Sequence, residues 1–177
     1  MVGGYDPRFV LKPTRQLPPS DTKVGSVCET PICGHMADPF YLQRFVVAQA
    51  PVLDVVREEL AAGAKRTHWI WYIFPQIAGL GLSQMSQTYA LSGAAEARAY
   101  LAHPSLGKNL VDCTKLVLAH QDKSAPTIFG ELDALKFRSC MTLFSAIAED
   151  EPVFTDVLNQ FFAGAEDPET LKRLRQG

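Results

Sequence analysis

Seventeen consecutive residues, Leu132 to Ala148, read LDALKFRSCMTLFSAIA and constrain the fold more than any other stretch. At 100° per residue, Phe137, Cys140, Met141, Phe144, Ile147 and Ala148 share one sector, and Leu132, Leu135 and Leu143 fill the adjoining one. Ala134, Arg138 and Ser145 form the only clearly outward strip. A helix apolar over most of its circumference is buried on several sides. The rest of the chain must wrap it. This predicts an all-α fold, a single compact domain of about eight short helices around a central apolar helix at about residues 132–148.

The wrapping elements announce themselves through caps and periodicity. Asp38-Pro39 offers an N-cap followed by proline at the first helical position, ahead of Leu42, Phe45 and Val46. A second helix is expected from Pro51, with Val52, Val55, Val56 and Leu60 on one face and Gly63 as its stop. The Ala-rich run from Ser92 favours helix until His103-Pro104 ends it. Pro104 then opens a helix carrying Leu106, Leu110, Cys113 and Val117, ending near Gln121. Pro152 opens one with Val153, Val157, Phe161 and Phe162, stopped near Gly164, and Asp167-Pro168 caps a last short one.

The stretch His68–Gln76, HWIWYIFPQ, is harder to place. Its rings favour a strand by propensity alone. A strand needs a partner, and no other segment alternates with period two. With Thr67 as N-cap and Pro75 as terminator, a short buried helix is the expectation, mostly core, with polar ends at His68 and Gln76.

Residues 1–37 are rich in Pro, Gly and Thr without sustained periodicity, and read as a flexible tail or leader before a helical domain at 38–177. Met36 is a candidate start in that case. Nearly half of the 177 residues are apolar, enough for one sizeable core. The net charge of −2 gives no general attraction to nucleic acid or anionic membranes, and the aromatics are not interleaved with a basic patch. No apolar run reaches the roughly 20 residues of a membrane-spanning helix. Of the four cysteines, Cys28 and Cys33 lack CxxC spacing and have only His35 nearby, while Cys113 and Cys140 fall at apolar helical positions. A reduced, cytoplasmic setting without metal or cofactor is the simplest expectation.

Three segments together resemble a known family: KRTHWIWYIFPQIAGLGLS, EARAYLAHPSLG and DALKFRSCMTLFSAI, in this order and at these separations. They are similar to a widespread bacterial and fungal family of domains of unknown function, some members of which carry a calpastatin-like label. The resemblance spans roughly Phe40 to Leu174. It implies a compact all-helical fold and carries over no catalytic residue.

The candidate functional residues are polar groups set among apolar ones. His68 and Gln76 either satisfy backbone groups at the ends of the aromatic helix or form a site there, with His68 as base or donor. Ser83, after Gly79 and Gly81, is an N-cap or the edge of an anion site. His103 complements a helix C-terminus or joins the site. Lys136 lies between the two apolar sectors of the central helix. It either pairs with Asp133 or binds an anion, with Ser139 one turn on as its neighbour. Two functions follow. One is a domain that binds, or binds and processes, a small anionic or nucleotide-like metabolite. The other is a non-catalytic helical protein-interaction module. They differ in whether these side chains converge on one concavity.

Overall fold

The computed structural model describes residues 38–176, and the segment expected to be a tail or leader, 1–37, lies outside the described residues. Ten helices occur among the described residues: α1 Gln43–Gln49, α2 Leu53–Ala61, α3 Ile70–Ile73, α4 Gln84–Thr88, α5 Ala94–Ala102, α6 Leu106–Leu118, α7 Ala125–Phe129, α8 Glu131–Ile147, α9 Val153–Phe162 and α10 Pro168–Leu174. The one β feature among the described residues is an isolated parallel bridge between Ile77 and Leu91. The all-α expectation holds.

The central helix is α8, within one residue of its expected bounds. It packs against α5, α7, α9 and α10, while α6 packs on α2, α5 and α9. Phe137, Cys140, Met141, Leu143 and Phe144 are fully buried. The second apolar sector is not what its periodicity suggests. Leu132 and Leu135 stand in solvent, and Ala134, expected outward, is buried. The neighbours pack over the Ala134 side of the helix, so the two leucines face open space beside the segment after α3.

The short elements differ most from expectation. Asp38 does not start a helix. Its carboxylate instead accepts the N–H groups of Leu42 and Gln43 at 2.8 and 2.9 Å, and α1 begins only at Gln43. Thr67 does not cap α3, which has Trp69 at that position, because the Thr67 hydroxyl donates to Glu59 at 2.8 Å. Two single-turn helices, α4 and α7, are too short to show a period. Gly63 ends the α2 region as expected, in the left-handed conformation at φ 60°. Asp167 caps α10 by accepting the Thr170 N–H at 3.1 Å.

The aromatic stretch is core for the most part. Trp69, Ile70, Tyr72, Ile73 and Phe74 are all buried. Phe74 meets Phe137 edge-on with ring centroids 4.7 Å apart, and Phe129 packs on Phe137 at 4.6 Å. These contacts tie α3 and α7 to the central helix. Trp71 is the exception: it is only partly buried and turns to a groove.

Candidate functional site

The groove has three walls. Trp71 of α3 and Gln76 after it form the first. The turn Leu80-Gly81-Leu82-Ser83, with Ser86 of α4, forms the second. Leu135, Lys136 and Ser139 on α8, with Asp167 and Glu169 at the start of α10, form the third. Its volume of about 560 Å³ lies within the range of small-molecule sites.

The turn is held at its neck by the bridge: Ala78 N–H donates to Leu91 O at 2.8 Å, and Leu91 N–H to Gln76 O at 2.9 Å. Gly79 sits at φ 88°, and a Cβ there would collide with the Arg173 guanidinium. The positive φ is what calls for glycine there, and the Arg173 guanidinium of α10 lies close against it.

Lys136 is the cation of the groove. Its Nζ donates to Asp133 Oδ1 at 2.7 Å and lies 4.8 Å from the centroid of the Trp71 ring. The expected Lys136–Asp133 pair is present, but Asp133 is shared. Lys65, whose side chain is 7% exposed, reaches Asp133 Oδ2 at 2.7 Å. Burial opposes ionisation of Asp133, yet the hydrogen bonds and charges of the two lysines outweigh it and hold the carboxyl below its ordinary range. One carboxylate between two ammonium groups leaves a positive charge uncompensated. Of the two lysines, Lys136 is the more open, at 27% side-chain exposure.

The Asp167 carboxylate on the same wall is already engaged. Asp167 Oδ2 lies 3.0 Å from Ser139 Oγ and accepts the Thr170 hydroxyl at 2.6 Å, while Oδ1 faces Arg138 at 3.7 Å. Ser139 Oγ also lies 3.1 Å from Leu135 O, so its single proton is divided between two acceptors. Among the described residues, the buried side-chain polar atoms left without a protein partner are all N–H donors: Trp71 Nε1, Arg138 Nε and Arg173 Nε. Trp71 lines the groove, Arg138 faces its Asp167, and Arg173 braces its turn at Gly79. The surroundings of the groove are short of acceptors.

Four of the six sequence candidates, Gln76, Ser83, Lys136 and Ser139, meet here. His68 and His103 are not among the lining residues. His68 is exposed, and its carbonyl accepts the Tyr72 hydroxyl at 3.2 Å. His103 does not complement the end of α5 with a donor. Its Nδ1 accepts the Ser105 N–H at 3.3 Å, ahead of α6. Ser83 is the N-cap of α4, taking the Ser86 N–H at 3.2 Å and so consuming a donor that an anion at that terminus would use. The sequence does not mark Trp71, Asp167 or Glu169 as site residues: Trp71 reads as a core ring and Asp167 as a cap.

The fold and groove together define a small all-helical domain with an open cleft holding one lysine, two carboxylates, hydroxyls and an amide. No cluster of three potential metal ligands occurs among the described residues. The chain belongs to the family described as "Protein of unknown function (DUF1810)", which matches residues 39–174. It is also similar to the crystal structure of a conserved hypothetical protein from Mycobacterium tuberculosis. The two share 47% identity, with a TM-score of 0.77, over 78% of this chain and 99% of that one. Comparison with curated proteins gives no match. No helix among the described residues is long and apolar enough to cross a membrane.

Proposed function

We propose that the groove binds a small anionic metabolite, nucleotide-like compounds included. The observation that carries this is the convergence of Gln76, Ser83, Lys136 and Ser139 on one concavity, from three separate parts of the chain. An interaction module would need no such convergence. The excess ammonium charge at Lys136 supplies the attraction, and the amide and hydroxyls supply orientation. Asp167 and Glu169 also line the groove, but Arg138 and Lys172 lie 3.7 Å from their carboxylates, so the excess positive charge at Lys136 is not cancelled by them.

The test is a thermal-shift screen of nucleotides, sugar phosphates and organic acids against sodium chloride at matched ionic strength. A ligand at a hundred times its dissociation constant should add about 2.7 kcal/mol. Lys136→Met should lose that response while costing at most about 1 kcal/mol of stability, because its pair is partly exposed. A full response in folded Lys136→Met removes the lysine from the site and sinks the proposal.

A further inference from the structure

The groove's apolar lining carries a second message. Leu82 is 91% exposed and Leu135 56% exposed, on opposite walls, and Leu80 and Trp71 lie between them and the core. Leu132, one turn before Leu135 on α8, is 74% exposed and extends that wall. Single exposed leucines are ordinary, but leucines facing each other across a groove with one cation are not a random scatter. Solvated apolar walls gain nothing from a fully polar ligand such as a sugar phosphate. They gain in proportion to the apolar surface a ligand covers.

We infer that the ligand class is an amphiphilic anion: an oxyanion head held at Lys136, joined to an apolar body that lies between Leu82 and Leu135. This rests on the proposed anion-binding reading and narrows it. Charge complementarity fixes the head, since Lys136 carries the uncompensated charge left by Lys65 and Asp133. The exposed leucines fix the body. The groove volume suits a single ring or short chain with its head group and is too small for a folded partner. The Trp71 ring already carries the Lys136 ammonium against it, so the body is assigned to the leucine walls and not to a stack on that ring.

Two matched pairs of probes test this: inorganic phosphate against phenyl phosphate, and acetate against phenylacetate. Binding is read by calorimetry on the full chain and by the shift in melting temperature. Each phenyl compound should bind at least about tenfold more tightly than its bare head group. Leu135→Ser and Leu82→Ser should each erase most of that gain while leaving the head-group affinity within about twofold. Both side chains are exposed, so the fold should be unaffected, and far-ultraviolet circular dichroism checks it. Lys136→Met should weaken all four probes. If the head groups bind through Lys136 but the phenyl ring adds nothing, the amphiphile is overturned and the anion site stands. If the phenyl gain survives both serine variants, the leucine walls are not the body's seat and the inference falls. If no probe binds the wild-type protein, it falls together with the reading it rests on.

Discussion

Two charged side chains, Glu59 and Lys136, are each set against a tryptophan, and the protein houses them in opposite ways. Glu59 is buried and saturated. Its Oε2 accepts the Arg66 N–H at 2.8 Å, the Thr67 N–H at 3.2 Å and the Trp69 indole N–H at 2.8 Å, and Oε1 accepts the Thr67 hydroxyl at 2.8 Å. Lys136 is half-open, holds half of one carboxylate, and lies over a tryptophan whose own N–H has no protein partner. A buried charge met by four donors fixes a fold. A charge left under-compensated beside a groove costs stability that a ligand can restore. A charge set beside a tryptophan thus serves structure at one end of the aromatic segment and, under the proposed function, recognition at the other.

The largest test of this contrast is truncation of the two rings. Trp69→Ala should cost about 3–5 kcal/mol in denaturant unfolding, the range for deleting a fully buried large aromatic. It removes packing against Phe74 and Phe129 as well as the bond to Glu59. Trp71→Ala should cost less than half as much, because that ring is only partly buried. Equal losses would mean that Trp71 is as much a part of the core as Trp69, and the contrast would collapse.

What was legible in the sequence divides along a similar line. The bounds of α8 could be read because its period is local. Asp167-Pro168 and Gly63 were legible for the same reason. The exposure of Leu132 and Leu135 was not, because it depends on which side of α8 its neighbours cover. Helix α7 has five residues and no period to detect. Lys65 could not be paired with Asp133 from spacing, since the fold alone brings them together. Lys136 and Ser139 share α8, one turn apart, but no spacing links Gln76 and Ser83 to them, and their meeting with α8 is a property of the turn clasped by the Ile77–Leu91 bridge. His68 and His103 looked equally suitable by chemistry, and both lie elsewhere.

The second test is acid. Burial raises the cost of ionising Glu59, but the hydrogen bonds from Arg66, Trp69 and Thr67 together outweigh it and hold the carboxyl below its ordinary value. A carboxyl lower in the folded than in the unfolded chain contributes stability that is full above the unfolded value, about 4.3, and fades as pH falls below it. Glu59→Gln should therefore cost about 1–3 kcal/mol at pH 7, since it turns an amide toward donors that need an acceptor. The gap between wild type and variant should narrow as pH falls below about 4. Unfolding curves measured from pH 7 to 3 would show it. A gap independent of pH would mean that the charge of Glu59 is not what holds the segment.

The smallest expected effect comes from exchanging a tryptophan for phenylalanine. Phenylalanine keeps an aromatic ring and deletes the indole N–H, and it can be placed at position 69 or position 71. At Trp69 the N–H is a buried donor to a buried carboxylate. Trp69→Phe should cost about 1–3 kcal/mol, because one lone pair of Glu59 loses its partner and the smaller ring leaves space. At Trp71 the N–H is buried with no protein partner, so the folded state gains nothing from it. Trp71→Phe should leave stability within about 0.5 kcal/mol of wild type or raise it, since removing an unsatisfied donor offsets the lost area. The chain has two tryptophans, so each variant leaves one indole to report unfolding by fluorescence. A loss at Trp71→Phe matching that at Trp69→Phe would show that the Trp71 N–H is satisfied in solution, and the acceptor-poor character assigned to the groove would have to be withdrawn.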